Sequence, residues 1–190
     1  MKRTVTVLSA LGGLLALLLS LGALPASATV AQGSVVGGGV ITDDWGDEGT
    51  LSQSSHAQSG ATYLWQWVLY ADGANEINGT NFDQSDIDGD FGPNTDRATR
   101  NWQSSHHIGV DGEVGPQTFG TADGNLHVIA SGGGDIHISY FGSVHHIDVY
   151  RDGGVYWSHL PGSSRLVKAT YGSAVFGNPP ASCVFTGTCS

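Results

Sequence analysis

The sequence predicts an α+β fold, a small three-helix unit followed by a small antiparallel β-sheet region. Three observations carry that expectation. Apolar side chains recur at helical spacing between residues 59 and 71. A pattern of turn and helix start then occurs twice. Beyond Asp123 the chain divides into short runs rich in Val, Ile and Tyr, separated by Gly-containing turns. That last pattern is the signature of half-buried strands joined by tight connections.

The chain opens with a leader. Lys2 and Arg3 precede an apolar run over residues 5–24, and Pro25-Ala26-Ser27-Ala28 follows with small residues where a signal peptidase reads. This is the layout of a secretory signal peptide over residues 1–28, so the mature chain is expected to begin near Thr29. Residues 29–54 contain Gly37-Gly38-Gly39 and the acidic patch from Asp43 to Glu48, without periodicity. They are expected to form a flexible acidic linker, with Trp45 available to dock on a neighbour.

A helix is expected over residues 59–71, because Ala61, Leu64, Trp65, Val68 and Leu69 fall on one face. Ser59 suits the N-cap, and Asp72-Gly73 ends the helix with Gly at the left-handed position. Residues 74–87 read as a loop rich in Asn, Asp and Gly. A second helix is expected from Pro93 to about Ser105, with Ala98 and Trp102 on one face, and a short third one from Pro116. Proline fits both starts, since the N–H it lacks has no intrahelical partner there. Strands are expected over residues 126–129, 136–141, 144–150, 155–160 and 166–171, with Asp152-Gly153-Gly154 as a hairpin signal.

Charge and cysteine usage exclude several partners. Without the leader the chain keeps five basic and 17 acidic residues, a net charge of −12. Nucleic acid needs a basic face, and an anionic membrane surface disfavours the same charge, so neither is expected as a partner of the mature chain. Cys183 and Cys189, the only cysteines, have five residues between them. In an oxidising exterior they are expected to form a disulfide that pins a chain end and contributes roughly 2–3 kcal/mol at most.

The repeat carries the functional argument. Ile87-Asp88-Gly89-Asp90-Phe91-Gly92-Pro93-Asn94-Thr95 recurs 23 residues later as Val110-Asp111-Gly112-Glu113-Val114-Gly115-Pro116-Gln117-Thr118. Asp-Gly makes a turn, its carboxylate bonding nearby backbone N–H groups and its Gly supplying positive φ. The apolar residue two places on turns inward, Gly-Pro launches a helix, and Thr bonds back toward the turn.

With these residues in view, the stretch 55–124 resembles the three-helix peptidoglycan-binding domain found on many bacterial wall hydrolases. The resemblance rests on Thr62, Trp65-Gln66, Leu69 and Gly73 in the first helix, and on Asp88, Gly89, Phe91, Gly92, Pro93 and Thr95 in the first turn. Trp102-Gln103 follows as the second aromatic-Gln pair. Ile108-Gly109-Val110-Asp111-Gly112, Val114-Gly115-Pro116 and Thr118-Phe119 complete the second turn. Trp65 replaces a usual Leu, Phe119 stands where Trp is frequent, and the loop 74–87 is longer and more acidic than the family requires. The resemblance does not reach residues 125–190.

It implies a module whose first helix and two turns frame a shallow groove for peptidoglycan or muropeptide. Trp65, Leu69, Phe91, Trp102, Val114 and Phe119 form its expected core. Gln66, Asp88, Asp90, Thr95, Arg100, Gln103, Asp111 and Thr118 form the expected ligand-facing set, with Asp88 and Asp111 also shaping the turns. No metal and no cofactor is expected. Asp86, Asp88 and Asp90 alternate as in a calcium loop, but Phe91 and Arg97 stand where Gly and Glu are required.

Five histidines, His127, His137, His145, His146 and His159, fall in the β region without the spacing of a zinc hydrolase. The expected function is non-catalytic wall binding outside the cell, with no catalytic residue assigned. The alternatives are a compact wall hydrolase or peptidase in the β region, and a secreted protein-interaction scaffold. The sequence does not speak to oligomeric state.

Overall fold

The computed structural model describes residues 34–46, 49–159, 166–168 and 175–177. The residues expected to form a leader, 1–28, and the disulfide expected between Cys183 and Cys189 lie outside them. Three helices, α1 (Gly60–Asp72), α2 (Pro93–Ser105) and α3 (Pro116–Ala122), precede six strands. These are β1 (Leu126–Gly132), β2 (Asp135–Phe141), β3 (His146–Asp152), β4 (Val155–His159), β5 (Leu166–Lys168) and β6 (Val175–Gly177). They pair in sequence order as one antiparallel sheet. The fold is α+β.

α1 is the central element. Ser59 caps it, accepting from the Thr62 N–H at 3.0 Å, and Gly73 ends it at φ +63°. One apolar face was the expectation; instead every residue from Gly60 to Leu69 is buried. A helix covered on all sides is a core helix. α2 takes one side, where the Trp65 ring meets Trp102 edge-on at 5.1 Å. The sheet takes another, where Trp67 donates from Nε1 to the His159 carbonyl at 2.6 Å.

Strand alternation divides the sheet into two faces. Ile138 and Tyr140 of β2, Ile147, Val149 and Arg151 of β3, and Tyr156 of β4 are buried toward the helices. His137, Ser139 and Phe141, with His146, Asp148 and Tyr150 across the strand pair, lie on the other face. The core is continuous from Leu64, Trp65 and Val68 of α1 to Ile138, Tyr140 and Tyr156 of the sheet.

Close backbone approach locks the two halves. The N–H groups of Val144 and His145 both donate to the Ala71 carbonyl, at 2.9 and 2.8 Å. The β2–β3 turn therefore sits on the end of α1, and Val144 and His145, expected in a strand, serve as a helix-end contact. A Cβ on Gly142 would stand 2.4 Å from the Ala71 backbone, so only glycine fits. Asp72 completes the joint, accepting from Trp102 Nε1 and Tyr140 Oη at 2.6 Å each and from the Ser143 N–H at 2.8 Å.

The segment expected as a flexible linker is packed over its described residues. Val35, Ile41, Trp45 and Leu51 are buried. Val36 bridges Val155 at the β3–β4 hairpin, and the Gly37 N–H donates to the Gly154 carbonyl at 2.8 Å. Asp44 pairs with Arg151 and accepts from Tyr156 Oη at 2.5 Å. Trp45 stacks near Tyr140, with ring centroids at 6.3 Å, and meets Phe119 and Tyr156 edge-on. Glycine content and absent periodicity suggested mobility; apolar anchors spaced along the segment, each finding a distant partner, override both.

Candidate functional site, a doubled turn unit

The two repeats adopt one geometry, each fastened by a buried glutamine. Gln66 of α1 reaches the first turn: its Oε1 accepts from the Asp88 N–H at 3.0 Å and the Gly89 N–H at 2.7 Å. Its Nε2 donates to Asp88 Oδ1 at 2.8 Å, the Asp90 carbonyl at 3.1 Å and Thr95 Oγ1 at 3.2 Å. Gln103 of α2 does the same for the second turn. Oε1 accepts from Asp111 and Gly112 at 3.1 and 2.9 Å, and Nε2 donates to Asp111 Oδ1, the Glu113 carbonyl and Thr118 Oγ1 at 2.8, 2.8 and 3.1 Å. The amide orientation follows from chemistry, since backbone N–H groups can only donate and must face the oxygen.

Within each turn the carboxylate folds back as the residue types require. Asp90 N–H donates to Asp88 Oδ1 at 2.8 Å, and Glu113 N–H to Asp111 Oδ1 at 2.9 Å. Gly89 and Gly112 hold φ +79° and +74°, a region that suits glycine. Thr95 and Thr118 donate back to the carbonyls of Asp90 and Glu113 at 3.4 and 3.2 Å. Burial pushes the Asp111 carboxyl up, but hydrogen bonds from the Glu113 N–H and Gln103 outweigh it and hold it below the ordinary carboxylate value.

Residues 51–59 brace both turns from one side. Leu51 and Val114 exchange backbone hydrogen bonds of 3.0 and 2.9 Å, and the Phe91 N–H donates to the Ala57 carbonyl at 2.8 Å. The plugs Phe91 and Val114 thereby point inward, where they join Trp65, Leu69, Trp102 and Phe119 in the core.

This geometry reassigns most of the expected ligand set. Gln66, Gln103, Thr95 and Thr118 are buried, with Gln66 and Gln103 at 0% exposure, and their polar atoms are spent on the turns. The carboxylates of Asp88 and Asp111 are exposed at the turns but each is engaged by its glutamine and by the N–H two residues on. Asp90 and Arg100 remain as surface groups. The Asp90 carboxylate is exposed and makes no hydrogen bond among the described residues.

Arg100 is half exposed and pairs with Asp96 at 3.0 Å. The hydrogen bond to Asp96, with the charges of Asp96, Asp111 and Glu113, raises the guanidinium above its ordinary value. Two residues outside the expected set are also exposed. Glu113 is the counterpart of Asp90 in the second turn, a place the repeat itself reveals, and Arg97 is exposed one helical turn before Asn101. Arg100 lies beside the second turn, where the charges of Asp111 and Glu113 act on it, and Asp90 marks the tip of the first.

The longer loop, residues 74–87, lies along α2. The Asn75 N–H donates to Asn101 Oδ1 at 2.7 Å, the Ile77 N–H to Asn94 Oδ1 at 3.1 Å, and Asn94 Nδ2 to Glu76 Oε2 at 2.7 Å. Asp86 accepts from the Asp83 N–H and from Asn94. The carboxylates of Asp86 and Asp88 thus serve separate partners, and that of Asp90 makes no hydrogen bond among the described residues. Among the described residues no group of three or more His, Cys, Asp or Glu side chains is placed to hold a metal ion.

Three helices whose paired turns are each clasped by a buried glutamine make one small module with polar turn tips. Residues 72–121 match the model of the family described as "Putative peptidoglycan binding domain". The match begins at the end of α1, whereas the folded unit also needs Gln66 and the brace from residue 51. No curated protein and no solved structure matches the chain.

Proposed function

We propose that the protein is a secreted, non-catalytic peptidoglycan-binding protein whose helical rim takes the peptide part of a muropeptide. The doubled glutamine-clasped turn carries this reading. It sets one carboxylate-bearing tip at each turn, Asp90 and Glu113, with Arg100 beside the second, and both turns lie within the residues that the family model matches. Stem peptides offer amides, carboxylates and amines, and a rim bearing both charge signs meets each of them with hydrogen bonds. The leader over residues 1–28 supports delivery to the wall. A net charge of −12 without residues 1–28 leaves short-range contacts as the source of affinity.

The direct test is co-sedimentation of the protein with purified insoluble peptidoglycan. Recovery in the pellet is expected, weakened roughly fivefold or more by Asp90→Ala, the loss of about 1 kcal/mol that one rim contact supplies. Full recovery in the supernatant overturns the reading.

One observation favours a hydrolytic alternative. His137 Nε2 stands 3.0 Å from Asp148 Oδ1, an imidazole–carboxylate pair. The neighbouring hydroxyl on that face, Ser139 Oγ, donates instead to the Ile147 carbonyl at 3.4 Å. Clearing of a wall suspension that is lost in His137→Ala selects hydrolysis; unchanged turbidity with sustained binding selects the non-catalytic reading.

A further inference from the structure

The helical rim leaves the outer face of the sheet unexplained, and that face is built of unusual groups. Phe141 is 38% exposed, and two imidazoles hold its ring, His127 edge-on at 4.6 Å and His146 tilted at 4.2 Å. Asp148 is half exposed, and its Oδ1 is fixed by His137 Nε2 at 3.0 Å; the carboxylate makes no other hydrogen bond among the described residues. His137 is steadied in turn by stacking on Tyr150 at 4.7 Å.

The register sets the spacing. Phe141 pairs with His146, Ser139 pairs with Asp148 and His127, and His137 pairs with Tyr150. Phe141 and Asp148 are therefore diagonal neighbours on one face, with Cα atoms roughly 7–8 Å apart. An anchored aromatic ring and an oriented, accessible carboxylate stand one sugar ring apart.

We propose that this face is a second binding surface, for a neutral saccharide, in which Phe141 stacks on the apolar side of a pyranose and Asp148 accepts its hydroxyls. Charge argues for a neutral ligand. The outer rows of β1 to β4 carry no lysine or arginine, and the chain is strongly acidic, so a phosphate polymer finds no partner here. Rings and hydrogen-bonding groups, rather than a row of aliphatic side chains, argue against a protein partner in these rows. Exposed Val128 and Ile129 lie at the bulge of edge strand β1. The identity of the sugar rests on the wall-binding reading: it is the N-acetylhexosamine strand of the polymer whose peptide the helical rim takes. The two surfaces would then hold one polymer at two points, raising avidity.

The test uses the full chain and a probe without peptide, the β-1,4-linked tetramer of N-acetylglucosamine, titrated by calorimetry and by amide chemical shifts. Binding is expected to shift amides of β1 to β3. Phe141→Ala is expected to weaken it at least tenfold and Asp148→Asn severalfold, while Phe141→Trp retains it. Melting curves within a few degrees of the parent show that these surface variants are folded. Asp90→Ala, at the helical rim, is expected to leave tetramer affinity within twofold, so wall sedimentation and tetramer binding fail independently. No binding of the tetramer, shifts confined to the helical module, or unchanged affinity in Phe141→Ala each overturn the proposal.

Discussion

Asp123 offers a quantitative probe of how the N-terminal segment is held. Its side chain is 4% exposed, between α3 and β1. Burial pushes its carboxyl up to about 7; a hydrogen bond from the Trp45 N–H lowers it, and the charges of Asp43 and Asp44 raise it further. The sign follows from proton counting. In the unfolded chain the group ionises near its ordinary 3.8, whereas the native state keeps the proton until about 7. Between those values the native state binds more protons, so this group makes stability fall as pH rises, and the effect is complete above about pH 7.

A shift of that size corresponds to about 4 kcal/mol, and relaxation of the site brings the working expectation to about 2–4 kcal/mol. Asp123→Asn keeps a carbonyl to accept from Trp45 and removes the charge. The variant is expected to match the parent within about 1 kcal/mol at pH 4 and to exceed it by about 2–4 kcal/mol at pH 8. Urea unfolding at pH 4, 6 and 8, followed by tryptophan fluorescence, measures the difference. Taking the difference between parent and variant cancels other titrating groups, such as Glu76 and Asp111, whose carboxyls lie below their ordinary values. Parallel pH profiles for the two proteins would falsify the assignment of a buried, uncompensated carboxyl.

Two further predictions concern the scaffold. Gln66→Ala and Gln103→Ala each leave two backbone N–H groups without their acceptor in a buried turn. Each is expected to cost about 2–4 kcal/mol in urea unfolding, and the two costs should agree within about 1 kcal/mol because the clasps are equivalent. A negligible loss at one turn breaks the claimed equivalence. Gly142→Ala drives a Cβ into the Ala71 backbone; a loss of roughly 2–3 kcal/mol is expected, while a variant as stable as the parent shows that the turn does not seat on α1.

The comparison of expectation and outcome follows the range of the interactions. Helix ends depend on residues a few positions apart, and Ser59, Gly73, Pro93 and Pro116 mark those ends as their types require. The start of β3 was misplaced by two residues because Val144 and His145 answer to Ala71, a partner some seventy residues away. β6 was not expected, since residues 175–177 are too short a run to stand out from turn-like surroundings. The burial of half of the expected ligand set was hidden for another reason. Glutamine and threonine in a polar motif read equally well as ligand contacts or as turn fasteners, and only burial separates the two. Gln66 is 22 residues from Asp88, and Gln103 only eight from Asp111, so the shared clasp is hidden by the loop between them.

What the sequence by itself determined is the repeated turn, the helix starts and the alternation of the strands, because φ preference, capping and side-chain period act within a few residues. Tertiary structure decided the rest. It turned an acidic glycine-rich stretch into a brace through Trp45 and Asp44, and made Asp72 the joint of helix and sheet. It also buried Gln66 and Gln103 against the turns while leaving Asp90, Arg100, Phe141 and Asp148 at the surface. The physical reason is that burial and hydrogen-bond partnership are properties of groups brought together from distant parts of the chain, and local preference does not encode which of them meet.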